Sequence, residues 1–128
     1  MIQAIIVGSD RNLFVELEHV LNQHSIQTDW TDSGKSALTL LTELPYTDNR
    51  SGVLLITDET LADMDGRELV EQAITQSPMT NCAAISSLSS KDFHEAFEGL
   101  GVLMALPVQP KAEDGQALVD HLKHIAAL

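Results

Sequence analysis

Acidic and hydroxyl residues follow several short apolar runs of this 128-residue chain. They are Ser9, Asp10, Asp58 and Ser86. Carboxylate oxygens are ligands that Mg²⁺ prefers in proteins, and a hydroxyl can donate a hydrogen bond to an anion. These residues form a site only if the fold brings the ends of the apolar runs together.

Apolar runs and helical patterns alternate along the chain. Runs rich in apolar residues predict strands at 4–8, 26–30, 53–57, 82–86 and 101–106. Apolar residues at helical spacing predict helices that include 13–24, 37–41, 69–74, 93–100 and 118–125. Pro45 and Pro78 are expected to end the second and third helices, and Ser89 with Asp92 predicts a capping box before the fourth.

This alternation is typical of a doubly wound α/β domain with a parallel sheet. The run at 53–57 is apolar at four positions in succession, as expected of a central strand covered on both faces. Functional groups in such sheets gather at the carboxyl ends of the strands, which predicts a site there. We expect one domain over 1–128, without a linker or an internal repeat.

Composition and charge exclude several function classes. The chain has 7 basic and 19 acidic residues, so its net charge is −12. The basic residues are scattered, which argues against direct nucleic-acid binding and against an anionic membrane surface. A single cysteine excludes an intramolecular disulfide. No apolar run approaches the ~20 residues of a membrane span, and the first residues lack the basic start of a signal peptide, so the cytoplasm is the expected compartment.

Three weaker motifs are interpreted as structural. S-G-K-S at 33–36 lacks the glycine that a phosphate-binding loop needs five residues before Gly34. His121 and His124 have a spacing that could hold a metal, but only Asp120 lies nearby in sequence, so a solvated helix face is expected. Cys82 lies in an apolar run and is expected to be buried.

The chain resembles the receiver domains of two-component response regulators over essentially its whole length. The segment 25–38 resembles the second strand and second helix of that family, and V-L-L-I-T-D with M-D-G (53–58 and 64–66) resembles its phosphoacceptor segment. I-S-S at 85–87 and L-P-V-Q-P at 106–110 match in order. The resemblance implies a five-stranded, flavodoxin-like sheet in the order 2-1-3-4-5, with the first and last helices on one face.

The resemblance also assigns the site positions, and most of them hold a residue type that differs from the one the family has there. Asp58 stands at the phosphoacceptor position and Ser86 at the position of the hydroxyl that contacts the phosphoryl group. Gly8 and Ser9 stand at the positions where the family has its two metal-binding acids. Leu106 stands at the lysine position, and Leu103 stands at the position of the aromatic switch. The residues therefore predict a degenerate receiver.

Asp10 is a possible substitute for one of the missing acids. It follows the acid-pair positions directly, and a bulged loop would let it hold Mg²⁺ together with Asp58. No cofactor is expected otherwise. Glu59 and Asp63 are interpreted as solvated loop acids that add negative charge around Asp58.

Two functions are consistent with this resemblance. The first is a non-enzymatic interaction module in a phosphorelay, either free-standing or at the front of a longer regulator. Its partner would be a histidine kinase, a phosphotransfer protein, an output domain or a second copy. The contact surface would be the fourth helix, fifth strand and fifth helix, including Lys91, Phe93, Phe97, Leu103 and His121. The alternative is a working receiver that is phosphorylated on Asp58, with Mg²⁺ supported by Asp10.

Overall fold

A parallel sheet forms the centre of the protein in a computed structural model that describes residues 2–43 and 52–125. Its five strands lie in the order β2-β1-β3-β4-β5, and every neighbouring pair is parallel, which confirms the predicted topology. The strands are β1 (Gln3–Val7), β2 (Gln27–Thr31), β3 (Val53–Thr57), β4 (Asn81–Ile85) and β5 (Met104–Leu106). All of β3 is buried, as its uninterrupted apolar run predicts.

Helices cover both faces of the sheet. They are α1 (Val15–Gln23), preceded by a 3-10 turn (Arg11–Phe14), α2 (Gly34–Glu43), α3 (Gly66–Gln76), α4 (Ser90–Ala96) and α5 (Ala112–His124). Leu17 of α1 and Leu118 of α5 belong to the core on one face. Leu41 of α2 and Leu69 of α3 belong to the core on the other face, which confirms the predicted layers. None of the helices within the described ranges is long and apolar enough to cross a membrane.

The segment between α4 and β5 differs from the prediction. The fourth helix was expected to reach residue 100 and the fifth strand to begin at Gly101, but α4 ends at Ala96 and β5 begins only at Met104. Gly99 and Gly101 have φ angles of +81° and +66°, a left-handed conformation that interrupts both helix and strand. The connection is therefore a loop. The expected helix stop at Pro45 and the polar segment 46–51 lie outside the described residues.

Candidate functional site

The carboxyl ends of the strands bring the predicted site residues to one edge of the sheet. Parallel pairing continues one residue past the strands, because the N–H of Asp58 donates to Val7 (2.8 Å) and the N–H of Gly8 donates to Thr31 (3.1 Å). The N–H of Ser86 likewise donates to the carbonyl of Leu106 (2.9 Å). These backbone bonds fix where Gly8, Asp58 and Ser86 begin their loops.

Asp58 is half-buried and faces Gly8. Its Oδ1 accepts a hydrogen bond from the N–H of Glu59 at 2.7 Å. Its Oδ2 would lie 3.3 Å from a β-carbon added at Gly8. The two positions that the resemblance pairs, an acid-pair position and the phosphoacceptor position, are therefore neighbours in space.

Two aromatic rings fill the space beside Gly8. A β-carbon at Gly8 would lie 3.0 Å from the ring of Phe14 and 3.2 Å from the ring of Trp30. The two ring centroids are 5.6 Å apart. The position that would carry a metal-binding acid thus has little room for a side chain. Sequence reasoning missed the contribution of Phe14, because nothing in the local pattern shows that its ring turns towards residue 8.

Asp10 begins the 3-10 turn. It is exposed, and its Oδ1 accepts a hydrogen bond from the N–H of Asn12 at 3.0 Å, so it caps the turn. Ser9 is exposed as well. Over residues 2–43 and 52–125, no group of three or more His, Cys, Asp or Glu side chains is placed to hold a metal ion.

Leucine stands at the two positions, one on β5 and one just before it, where the resemblance implies a lysine and an aromatic residue. Leu106 is 1% exposed and belongs to the core between the sheet and helices α1 and α5. Leu103 is half-buried and packs against the same core. The side chain at the lysine position therefore contributes to packing and offers no charge to Asp58.

Gly66 explains the spacing of the loop that follows Asp58. A β-carbon at this residue would lie only 2.3 Å from the backbone oxygen of Asp58, so only glycine fits. Its N–H donates to the carbonyl of Glu59 at 3.0 Å, and Asp65 caps α3 by accepting from the N–H of Glu68. The loop is thus folded tightly back onto the phosphoacceptor position.

Ser86 and Glu59 organise the loop after β4. Ser86 is half-buried, and its Oγ accepts a hydrogen bond from the N–H of Leu88 at 3.1 Å. Glu59 was expected to be a solvated loop acid, but it is half-buried and hydrogen-bonded. Its Oε2 accepts hydrogen bonds from the N–H (2.8 Å) and the Oγ (3.0 Å) of Ser87.

Asp63 is exposed, as expected of a loop acid, and it also caps α2 from a distant loop. Its two carboxylate oxygens accept from the N–H groups of Lys35 and Gly34, both at 2.9 Å. These backbone hydrogen bonds, that of Lys35 first, lower the pKa of Asp63 below its ordinary value. Residues 29 positions apart in the sequence are joined in this way, which no local pattern could indicate.

We expect Asp63→Ala to destabilise the protein at neutral pH and to have a smaller effect in acid. Because the pKa is lower in the folded chain, the ionised carboxylate stabilises the fold above its ordinary pKa. This contribution is lost as the pH falls through the lower, folded-state pKa. Urea unfolding of both proteins over a pH series measures the difference. The control is Asp32→Ala, another exposed acid near the start of α2. An equal loss for both variants at every pH would contradict the capping role.

Two cavities lie beside the site. One of about 290 Å³ lies between the loops after β3 and β4, where Glu59, Arg67 and Ser86 line it. The other, about 840 Å³, is a groove between α4 and β5, which we call the α4–β5 groove. Its lining includes Leu88, Phe93, Phe97, Val102, Leu103 and Met104. Its rim includes the acids Glu95 and Glu98.

Five parallel strands in this order, covered by helices on both faces, form a flavodoxin-like fold. The chemotaxis response regulator CheY4 of Vibrio cholerae aligns with a TM-score of 0.78 and 15% identity, over 95% of this chain and 98% of that chain. The signal receiver domain of an HD domain-containing protein from Pseudomonas fluorescens Pf-5 gives 0.75 and 19%, over 96% and 88%. The beryllofluoride-activated NtrC4 receiver domain dimer gives 0.78 and 17%, over 94% and 95%.

This protein is therefore similar in fold to response regulator receiver domains. No protein-family model matches its sequence, and no curated protein is significantly similar to it. The identities below 20% to these three receivers indicate a chain that shares their architecture while its sequence is distant from theirs.

Proposed function

We propose that this chain is a degenerate receiver domain that acts in two-component or phosphorelay signalling through protein contacts, without phosphorylation of Asp58. The observation that carries the proposal is the filled space beside Asp58, where the rings of Phe14 and Trp30 approach Gly8. It is a cytoplasmic interaction module in this proposal, and it has no catalytic residue.

The residues around Asp58 fit a magnesium ion poorly. Mg²⁺ demands near-octahedral oxygen ligands, and it offsets the charge that builds up on the oxygens during phosphoryl transfer. Here Oδ1 of Asp58 accepts from a backbone N–H, and Oδ1 of Asp10 caps the 3-10 turn. Leu106 provides no cation in place of the ion.

The α4–β5 groove supports the partner-binding part of the proposal. Phe97 and Leu103 are half-buried and line it, whereas Lys91 and His121, which were expected on the same surface, are exposed and are not among its lining residues. Phe93, which was expected on this surface, is 6% exposed and lines the floor. A histidine kinase, a phosphotransfer protein, an output domain or a second copy would bind here. NtrC4 is described as a dimer, which makes the second copy a specific candidate to test.

The test is a titration with Mg²⁺ and beryllium fluoride, an analogue of the phosphoryl group. Trp30 is the only tryptophan and lies beside Gly8 and Asp58, so its fluorescence reports on the site directly. We expect no saturable change in fluorescence and no amide NMR shifts in α4 or β5. Asp58→Asn should behave like the wild-type protein.

The expected absence of switching has an energetic reason. A ligand shifts a two-state equilibrium only by its differential contacts with the two states. Only a hydrogen bond to Ser86 could differ here, a contribution of about 1 kcal/mol. Moving a population from 1:99 to 99:1 takes ~5.5 kcal/mol.

Saturable changes would support the alternative, a working phosphoacceptor. Such changes must be lost in Asp58→Asn. They must also weaken in Asp10→Asn if Asp10 helps to hold the ion. Shifts that spread from Asp58 through Ser86 to Leu103 and α4 would overturn the proposal of a degenerate receiver.

A further inference from the structure

Glu59 connects three segments at the carboxyl edge of the sheet. Its N–H donates to Oδ1 of Asp58 at the end of β3, and its carbonyl accepts from the N–H of Gly66 at the start of α3. Its carboxylate reaches across to the loop after β4, where Oε2 accepts two hydrogen bonds from Ser87. A single acidic residue thus fixes one loop against another.

Ser87 lies in a loop that leads directly into α4. On one side, Oγ of Ser86 accepts from the N–H of Leu88 at 3.1 Å. On the other side, Ser89 is the N-cap of α4, and its Oγ accepts from the N–H of Asp92 at 3.2 Å. These hydrogen bonds on either side of Ser87 connect it closely to the start of α4.

The C-terminal end of α4 is contacted by a residue of α3, which directly follows the loop that contains Glu59. The guanidinium of Arg67, in the first turn of α3, donates to the carbonyl of Ala96, the last residue of α4. The helix has only seven residues, so contacts at its two ends contribute to its position on the sheet together with the buried side chain of Phe93. The placement of α4 also places Phe93 and Phe97. Their rings are stacked, with centroids 4.5 Å apart, and they line the α4–β5 groove.

We propose that Glu59 is a positioning residue that, together with Arg67, holds α4 in place. This pair of contacts, which we call the clamp, fixes the position of the helix that lines the α4–β5 groove, and it does so without modification of Asp58. The clamp is made by groups that are present in the unmodified chain. Its consequence for partner binding rests on the proposed function, whereas the clamp itself rests on the hydrogen bonds of Glu59 and Arg67.

Amide hydrogen exchange measured by NMR, without Mg²⁺ or any phosphoryl analogue, tests the clamp. In Glu59→Ala we expect the Ser87 amide to exchange about tenfold faster or more, since it loses a bond to a charged acceptor. The amides of Phe93 and Phe97 in and after α4 should also accelerate. The amides of Ile5 and Ile6 in β1 should keep their rates, which distinguishes a local effect from global destabilisation.

Matched variants sharpen this test. Glu59→Gln keeps an acceptor oxygen and should have a smaller effect than Glu59→Ala. Ser87→Ala removes only the hydroxyl donor, so its effect should lie between those of Glu59→Gln and Glu59→Ala. The charge control is Glu68→Ala, because the Glu68 carboxylate is exposed and has no hydrogen-bond partner among the described residues. It should leave α4 unchanged.

Two results would overturn the clamp. The first is faster exchange at Ser87 alone, with α4 unaffected. The second is equal acceleration in α4 and β1, which would make Glu59 a contributor to overall stability only. A saturable beryllium fluoride response would overturn the proposed function and would leave these exchange results unaltered, so the two failures can be told apart.

Discussion

Replacing Phe14 with alanine is expected to lower the free energy of unfolding by about 3–5 kcal/mol. The Phe14 side chain is 1% exposed, and it packs in the core against the ring of Trp30. Its loss leaves a cavity beside Gly8 and Asp58, which the surrounding sheet can close only in part. Urea unfolding followed by circular dichroism measures the loss. Val15→Ala is the control, because Val15 is the next residue and is 56% exposed, so a change within about 0.5 kcal/mol is expected there.

A double-mutant cycle shows whether the Phe14 ring is what closes the acid position. Gly8→Ala brings a β-carbon within 3.0 Å of that ring in the wild-type protein. The same substitution should be better tolerated in the Phe14→Ala background, by at least about 0.5 kcal/mol. Additive effects of the two substitutions would contradict the view that the aromatic ring leaves little room for a side chain at residue 8.

The fold was predictable because its determinants are local patterns. Apolar runs such as 53–57 and helical spacing between them define alternating strands and helices, and a parallel sheet then follows from general packing rules. The meeting of Gly8 and Asp58 was predictable for the same reason. Both residues follow neighbouring parallel strands, so pattern and topology together place them side by side.

The interior of the site was less predictable, because it depends on where side chains turn after the backbone has folded. The approach of Phe14 and Trp30 to Gly8 joins residues of three different segments. The bonds of Glu59 to Ser87 and of Asp63 to the start of α2 each span 28 or more positions. The sequence shows which residue types are present in such pairs, but it does not show in which direction either side chain points.

Substitutions at Leu106 are expected to show that the position where the resemblance implies a lysine contributes to the core. Leu106→Ala should lower the free energy of unfolding by about 2–5 kcal/mol, because the side chain is 1% exposed. Leu106→Met nearly conserves volume and should cost less than about 1.5 kcal/mol. Leu88→Ala is the control, since Leu88 is 46% exposed and should change stability by at most about 0.5 kcal/mol.

Leu106→Lys introduces the residue that the resemblance to receivers implies at this position, and we expect it to destabilise the protein at least as much as Leu106→Ala. The lysine loses the apolar packing and must also either bury an ammonium group or displace its neighbours to reach solvent. Asp58 could offset this cost only if the new ammonium reached its Oδ2 past the core side chains. Wild-type stability in Leu106→Lys, lost again in Leu106→Lys combined with Asp58→Asn, would show that the ammonium does reach Asp58. That result would contradict the conclusion, drawn from the buried position of Leu106, that a side chain at this position packs in the core and brings no charge to Asp58.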